Sequence, residues 1–370
     1  MKDLVWLDNL KLRVGYGKTG NSAVSPYQTK GQLALRHYVF NNGSSEYIGY
    51  APSVMANDQL TWETTDQWNV GVDFGFLKNR INGTVEFYLQ NTKDLLLKRQ
   101  LPVVSGFSSV MSNVGSTRNK GIEITLNTRN IMNRNFTWST DLTFSANKEE
   151  IVELYNGKTD DVGNLWFIGQ PIDVYYNYKK IGIWQNTEND LAEMAKFNEK
   201  GANFKPGSIR LEDVDGDYKI TEEDKQILGS VRPKFVASMV NNFEFKGFDL
   251  SVFLYASVGG LLRNNIEFME KPGRGNTVKV DYWTPTNPTN AFPRPSVDVE
   301  KLDYISTLGY DKADFLRIRN ITLGYTLPEM WSKKVLMDKI RIYLSANNPA
   351  IFTNFTGIDP EGANGRTAPS

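Results

Sequence analysis

Apolar and polar residues alternate with a period of two between Trp68 and Asn91, and this pattern predicts a β-hairpin. One face of the hairpin carries bulky apolar side chains, which are Trp68, Val70, Val72, Phe74, Phe76, Ile81, Val85, Phe87 and Leu89. The other face is mainly polar and includes the carboxylates of Asp73 and Glu86. Such a strand pair fits either a water-soluble sheet with its apolar side in a core or a barrel whose apolar side faces lipid.

The same alternation predicts seven further strands, which cover residues 10–17, 122–127, 136–145, 235–244, 248–256, 315–327 and 340–347. The connections between successive strands are alternately long and short. The long ones cover residues 18–65, 93–118, 147–234 and 259–313, and the short ones lie at 77–80, 130–135, 245–247 and 328–339. Long loops therefore fall at one end of the predicted sheet and short turns at the other. This asymmetry is expected of an all-β, antiparallel transmembrane barrel with short periplasmic turns and long extracellular loops.

Composition agrees with a β-barrel and removes other classes of function. Hydrophobic residues make up 40% of the chain and aromatic residues 12%, a pairing that suits a polar-lined barrel with aromatic girdles and would also suit a soluble all-β protein. Lys and Arg together number 42, as do Asp and Glu, so the chain lacks the basic field that nucleic-acid binding requires. No apolar run approaches the roughly 18–20 residues of a membrane-spanning helix.

The sequence offers no constellation of residues for catalysis. Cysteine is absent, which removes thiolate metal sites and cysteine nucleophiles. The single histidine, His37, cannot build a multi-histidine metal site, and the serines near Gly106 lack the flanking pattern of a nucleophile elbow. The carboxylates of the predicted strands fit lumen-facing positions, and they are Asp73, Glu86, Glu123, Asp141 and Glu244. We therefore do not expect an enzyme.

Several short motifs occur in order along nearly the whole chain. They are LKLRVGYGKTGN at 10–21, WETT at 62–65, NVGS at 113–116 followed by NKGIE at 119–123, and LRIRNITLGYTLP at 316–328. Together these motifs resemble the SusC/RagA family of TonB-dependent outer-membrane transporters.

The resemblance implies a barrel of the 22-stranded, plugged type in the outer membrane of Bacteroidetes bacteria. It also implies TonB-powered import of oligosaccharides or peptides, together with a SusD-like surface lipoprotein that closes over the extracellular mouth. On this basis we expect residues 1–370 to form a part of the barrel, with about nine strands in contact with outer-membrane lipid. We expect the signal peptide, the TonB-contacting segment, the plug domain and the closing strand to lie outside this sequence.

Residues 207–229, within the longest loop, contain the one motif with metal chemistry. Read as a calcium-binding loop, it supplies the carboxylates of Asp213, Asp215, Asp217 and Asp224, the carbonyl of Lys219, and Thr221 through a water. Tyr218 departs from the pattern, because this position calls for a glycine with positive φ, which is costly for an aromatic residue. The alternative is a solvated acidic turn that caps a short helix running from Thr221 to Gly229.

Two functions therefore remain open from the sequence. The first is nutrient import by an outer-membrane receptor, with Ca²⁺ stiffening an extracellular loop. The second is a soluble or surface-exposed, calcium-stabilised β-sheet binding module. The two differ in where the apolar face of the sheet lies, since only the second requires that face to be buried in a core.

Overall fold

The computed structural model describes residues 6–21, 27, 29–43, 45–263, 280–295, 302–357 and 359–361. The predicted loops at 18–65 and 259–313 lie partly outside these residues. Numbered along the chain, the first ten strands are β1 Leu7–Asn21, β2 Gln32–Phe40, β3 Ser45–Val54, β4 Glu63–Phe76, β5 Ile81–Lys93, β6 Leu96–Gln100, β7 Ser109–Asn113, β8 Ser116–Met132, β9 Phe136–Glu153 and β10 Val174–Tyr178. They are followed by β11 Lys180–Ile183, β12 Ile209–Leu211, β13 Lys225–Ser230, β14 Phe235–Phe245, β15 Phe248–Val258, β16 Leu261–Arg263, β17 Tyr310–Lys312, β18 Phe315–Thr326 and β19 Arg341–Thr353.

Helices are few in the described part of the chain. The α-helices are α1 Glu188–Glu199 and α2 Glu329–Ser332. Short 3₁₀ segments lie at Asn41–Gly43, Val103–Ser105, Val162–Asn164, Glu222–Asp224, Ile305–Thr307 and Lys333–Val335. Among the described residues, none of the helices has the length and apolar composition needed to cross a membrane.

Nine strands form one large sheet in the order β1-β4-β5-β8-β9-β14-β15-β18-β19. These are the nine strands predicted from the alternation, and the pairings from β1 to β14 are antiparallel. Most of the strands extend beyond the predicted bounds, since the alternating segment is only the part of each strand with an apolar side. The predicted fold class is confirmed.

Register places the predicted apolar residues on one face of the sheet. Val72 pairs with Val85, Val85 with Ile124, and Ile124 with Phe144. This apolar face is not covered, because Leu12 is 67% exposed and Phe87 is 55% exposed. An exposed apolar surface of this extent is typical of a sheet that faces lipid, and it does not form the core that a soluble module needs.

The short turns follow the predicted positions and need unusual backbone conformations. Leu77, Lys78 and Asn79 have φ values of 56°, 59° and 55° in the β4–β5 turn. Lys246 and Gly247, with φ of 46° and 89°, form the β14–β15 turn. Consecutive positive-φ residues give the twist that closes a tight hairpin between neighbouring strands.

The long connections contain structure that the alternation did not predict. Two extra hairpins, β2–β3 and β6–β7, lie within the first two of them. The third connection contains α1 and strands β10 to β13. The strands within these connections carry polar and apolar residues on both faces. The period-two alternation that reveals a strand in the sequence is therefore weak there.

The chain divides into two compact units. The first, here called the sheet unit, comprises Met1–Asp173, Lys234–Tyr255 and Arg317–Ala350. The second, here called the loop unit, comprises Val174–Pro233, Ala256–Leu316 and Ile351–Ser370. The loop unit has its own buried apolar clusters, which contain Ile183, Trp184, Met194, Phe197, Phe204, Ile209, Leu211, Trp283, Ile305 and Leu308. Its segments are therefore folded by burial rather than left as open loops.

Candidate functional site

The polar face of the sheet, which carries Arg13, Asp73, Glu86, Glu123 and Thr143, is held together by charged and hydroxyl side chains. Arg13 donates to Asp73 at 3.0 Å from Nε and also reaches Glu86 at 3.3 Å from Nη2. Thr143 and the neighbouring strand's Ser238 share a hydroxyl hydrogen bond of 2.7 Å. The predicted polar residues thus share one face, opposite the apolar face.

A cavity of about 720 Å³ lies against the short-turn end of this polar face. Its lining includes Arg134, Glu244, Asp249, Lys339 and Arg341. Both signs of charge are present, and Asp249 is paired with Arg341. The cavity is therefore a hydrated, mixed-charge surface without a reactive pair, which agrees with a lumen-facing position.

The loop unit contains the calcium-loop-like segment, and the carboxylates there fold the backbone. The Asp213 Oδ1 accepts from the Gly216 N–H at 2.9 Å, and its Oδ2 accepts from the Tyr218 N–H at 2.9 Å. Asp224, only 1% exposed, accepts from the Val214 N–H at 2.8 Å and the Thr221 N–H at 2.7 Å. Asp213 and Asp224 each satisfy two backbone donors that would otherwise be left without partners.

Three of the five predicted metal ligands come together. Oxygen atoms of Asp213, Asp215 and Asp224 lie within 4.8 Å of one another. Asp217 lies outside this group, and its Oδ1 accepts from the Lys219 N–H at 2.7 Å. Clustered carboxylate oxygens are the donors that Ca²⁺ takes, so the donor set fits the predicted ion in its chemistry. All five residues, including Asp217 and Lys219, stay predictions as ligands.

The negative charges of this cluster affect the pKa of Asp215. The hydrogen bond donated by the Asp217 N–H lowers this pKa and is the largest single contribution. Desolvation and the negative charges of Asp217 and Asp224 together outweigh it, so that the pKa of Asp215 is raised above its ordinary value. The neighbouring carboxylates of the loop therefore disfavour the charged form of Asp215.

Tyr218 adopts the backbone conformation that the motif requires. Its φ is 64°, in the left-handed region where the calcium loop normally has glycine. The Tyr218 ring packs edge-on against Phe197 of α1, with centroids 5.4 Å apart, and the Lys196 Nζ lies 5.0 Å from the ring centroid. This packing offsets the steric cost of an aromatic residue at positive φ.

The alternative prediction for the segment was an acidic turn that caps a short helix from Thr221 to Gly229. It is correct for the start of the helix and wrong for its end. Thr221 is the N-cap of a 3₁₀ helix and forms a capping box with Asp224. The helix ends at Asp224 and does not reach Gly229, because β13 begins at Lys225. The extended backbone of Gln226 and Ile227 pairs with β10, which overrides the local helical signal.

A second cavity of the loop unit, of about 570 Å³, was not visible in the sequence. Its apolar lining comprises Ile227, Leu228, Leu261, Ala291, Phe292 and Leu308. Three of its polar side chains are already paired: Lys179 with Glu212 at 3.0 Å, Gln226 with Glu212 at 2.7 Å, and Lys180 with the Asn290 carbonyl at 2.7 Å. Burial lowers the pKa of Lys180. The other polar lining residues, which are Thr307, Tyr310, Asp311 and Thr356, also form hydrogen bonds within the loop unit. Apolar groups therefore supply the larger part of the surface that remains for a ligand, with the Asp311 carboxylate beside them.

The protein class follows from these features together with comparisons to known proteins. Residues 3–348 match the family model described as "TonB dependent receptor-like, beta-barrel". The chain therefore belongs to the TonB-dependent receptor-like β-barrel family. It is an outer-membrane β-barrel chain, and the resemblance to SusC/RagA proteins is confirmed. This family membership excludes the fold of a soluble β-sheet binding module for the chain.

Individual relatives match almost all of this chain. It is 34% identical over 378 residues to TonB-dependent receptor P3 of Formosa agariphila, covering 98% of this chain and 36% of that protein. It is 31% identical to TonB-dependent receptor SusC of Bacteroides thetaiotaomicron, covering 99% of this chain and 36% of that protein. The chain thus spans a little over a third of the length of these relatives.

A solved structure described as the RagAB peptide transporter has the same fold. It superposes with a TM-score of 0.76 at 24% identity and covers 97% of this chain and 39% of that chain. At this identity the match concerns the fold and not the ligand.

Proposed function

We propose that the protein carrying this chain imports oligosaccharides or peptides across the outer membrane, powered through TonB and together with a SusD-like surface lipoprotein. The observation that carries this proposal is the similarity to SusC over 99% of the chain. The fold match to a RagAB peptide transporter supports the same class of activity. The long connections, which contain folded segments with their own apolar clusters, offer a surface for a lipoprotein partner.

The cavity of the loop unit favours a peptide over an oligosaccharide as its ligand. A sugar presents many hydroxyl groups and needs free polar partners, whereas Lys179, Lys180 and Gln226 are already engaged. Leu228, Leu261 and Phe292 supply an apolar surface that suits a hydrophobic side chain. A peptide with an apolar residue is therefore the ligand that we favour here.

The test uses a strain without the full-length gene, complemented with wild type or with Leu228→Gln, which adds a polar group to the cavity. We expect the deletion strain to lose uptake of labelled peptides and the wild-type gene to restore it. Leu228→Gln should lower peptide uptake, while Leu191→Gln, on an exposed position of α1, should not. If the deletion strain lost uptake of oligosaccharides but not of peptides, the ligand assignment would be reversed. If its uptake of peptides and of oligosaccharides were both unchanged, the proposed import would be contradicted.

The lipoprotein partner is tested by affinity purification of the full-length protein from outer membranes. Mass spectrometry is expected to find a surface lipoprotein in a stoichiometric amount. A preparation that transports the ligand without any such lipoprotein would contradict the partnership while leaving import itself in place.

We also propose that Ca²⁺ binds the loop at Asp213, Asp215, Asp217, Lys219 and Asp224 and stiffens it, without any role in chemistry. The proposal is supported by the convergence of three carboxylates and by the left-handed backbone of Tyr218. Because Asp224 also accepts backbone hydrogen bonds on both oxygens, a bound ion would fix the start of the following 3₁₀ helix and β13.

A further inference from the structure

Two lysines face each other directly on the apolar face of the sheet. Lys120 of β8 and Lys148 of β9 are cross-strand partners. They form the next pair on the same face as the apolar pair Ile122 and Ala146, two residues away along each strand. Both lysines are exposed. Like charges directly opposite each other destabilise a strand pair, so this arrangement is unfavourable unless an anion compensates it.

The lysines lie beyond the hydrocarbon level of the membrane. Lys120 is twelve residues from Met132, the last residue of β8 before the short turn. At about 3.3 Å per residue this distance is roughly 40 Å along the strand, or about 30 Å along the membrane normal for a strand tilted by about 40°. The apolar band of such a barrel is about 25 Å tall, so the two ammonium groups reach the headgroup level on the long-loop side.

An aromatic pair lies in the same row of cross-strand partners. Tyr16 pairs with Trp68, Trp68 with Leu89, and Leu89 with Lys120, all in one row of cross-strand partners that ends at Lys148. The Tyr16 and Trp68 rings lie 4.8 Å apart and are exposed on the apolar face. Aromatic girdles of this kind occupy the interface between hydrocarbon and headgroups.

Among the described residues, the charge around the two lysines is only partly balanced. Glu150 lies 3.5 Å from Lys148 and 3.5 Å from Arg118, so one carboxylate serves two cations. Arg118 is additionally held by Asn91 at 3.0 Å. Lys120 makes no ion pair among the described residues. The cluster therefore has a net positive charge at the headgroup level of the outer leaflet.

We propose that Lys120 and Lys148, supported by Arg118, bind the phosphate of an anionic lipid headgroup in the outer leaflet, such as a lipopolysaccharide. The ammonium groups of lysine are compact charges that suit phosphate oxygens, and one phosphate placed between them removes the repulsion. Attraction of basic residues to anionic lipid at a membrane surface supplies the same kind of stabilisation. The inference rests on the outer-membrane location and does not depend on what the protein imports.

The experiment compares full-length proteins in nanodiscs of phosphatidylcholine with and without lipid A, by thermal unfolding and by native mass spectrometry of bound lipid. We expect lipid A to raise the melting temperature of the wild type. The double variant Lys120→Gln/Lys148→Gln should lose at least about tenfold in lipid A affinity. Without lipid A the same variant should be as stable as the wild type or more stable, because it removes like-charge repulsion.

Controls separate this site from general effects. Lys120→Arg/Lys148→Arg keeps both charges and should keep binding. Lys11→Gln changes one lysine on the polar face, opposite Asp73, and should leave lipid A binding unchanged. The proposal is overturned if the double Gln variant binds lipid A like the wild type, or if Lys11→Gln weakens binding as much as the double Gln variant does. Equal, lysine-dependent stabilisation by inorganic phosphate would mean a free-phosphate site and would overturn the assignment to lipid.

Discussion

Arg341 of β19 and Asp249 of β15 form an ion pair that crosses the intervening strand β18 above Gly324. The Arg341 Nε donates to the Asp249 Oδ1 at 2.9 Å. A Cβ on Gly324 would lie 2.6 Å from both Asp249 carboxylate oxygens and 2.7 Å from the Arg341 Nη2. Gly324 therefore leaves the space through which the two charged side chains meet. Arg13 reaches Glu86 above Gly71 in the same way, so the sheet repeats this device.

Gly324→Ala should break this ion pair. The methyl group displaces both charged side chains, and we expect a loss on the order of 1 kcal/mol in the free energy of unfolding. The measurement is reversible urea unfolding of the full-length protein in lipid vesicles. Gly15→Ala is the control, because a Cβ at this position meets nothing within 4 Å. The added Cβ also reduces the backbone entropy of the unfolded state, so this variant should not lose stability through a clash. If both variants lose the same stability, the close approach above Gly324 is not the cause.

Arginine on the apolar face should cost far more than arginine on the polar face. Val72→Arg and Leu142→Arg place a charge against hydrocarbon, and we expect a loss of about 2–4 kcal/mol if they lie near the membrane midplane. Thr143→Arg faces the polar side, beside Ser238, and should cost much less. Equal losses at the two kinds of position, in the same unfolding assay, would contradict the assignment of the faces.

Calcium binding should depend on the aspartates of the loop and on pH. Asp213→Asn removes one charge and keeps only one of the two oxygen acceptors that the Gly216 and Tyr218 N–H groups use, and we expect it to weaken calcium binding while the sheet stays folded. Because the pKa of Asp215 is raised, its proton competes with the ion at higher pH than for an ordinary aspartate, so affinity should fall as the pH is lowered. Calorimetry of the full-length protein at neutral and mildly acidic pH measures both effects. Asp281→Asn, elsewhere in the loop unit, is the control, and binding unchanged by Asp213→Asn would remove the site.

Tyr178 should ionise at unusually high pH. Desolvation, followed by the charge of the nearby Glu222, raises the pKa of Tyr178 to about 12. Its folded-state pKa thus exceeds the unfolded one, so this residue stabilises the loop unit below about pH 10, and the contribution is lost as the pH rises to about 12. Tyrosinate absorbance, compared between wild type and Tyr178→Phe, isolates the ionisation. Glu222→Gln should move it to lower pH, and an unshifted titration in that variant would exclude the carboxylate as a cause.

The period-two alternation alone determined the nine strands of the large sheet, their short turns and the two faces. This was possible because each sheet strand contains a segment with apolar residues on one side, and the signal is local to that segment. The family motifs in β1 and β18 added the class of protein. The aspartate spacing likewise located the candidate metal loop and the N-cap at Thr221.

Tertiary structure decided what no local pattern contains. The hairpins β2–β3 and β6–β7 depend on pairing between strands of mixed polarity, and the helix α1 is held by burial of Met194 and Phe197 against Trp184 and Phe204. The position of Tyr218 at positive φ is stabilised by Phe197, a residue far from it in sequence. The meeting of Lys120 with Lys148, and of Arg341 with Asp249, follows from strand order and register. Those contacts join residues from different strands, so their energy enters only when the sheet has formed.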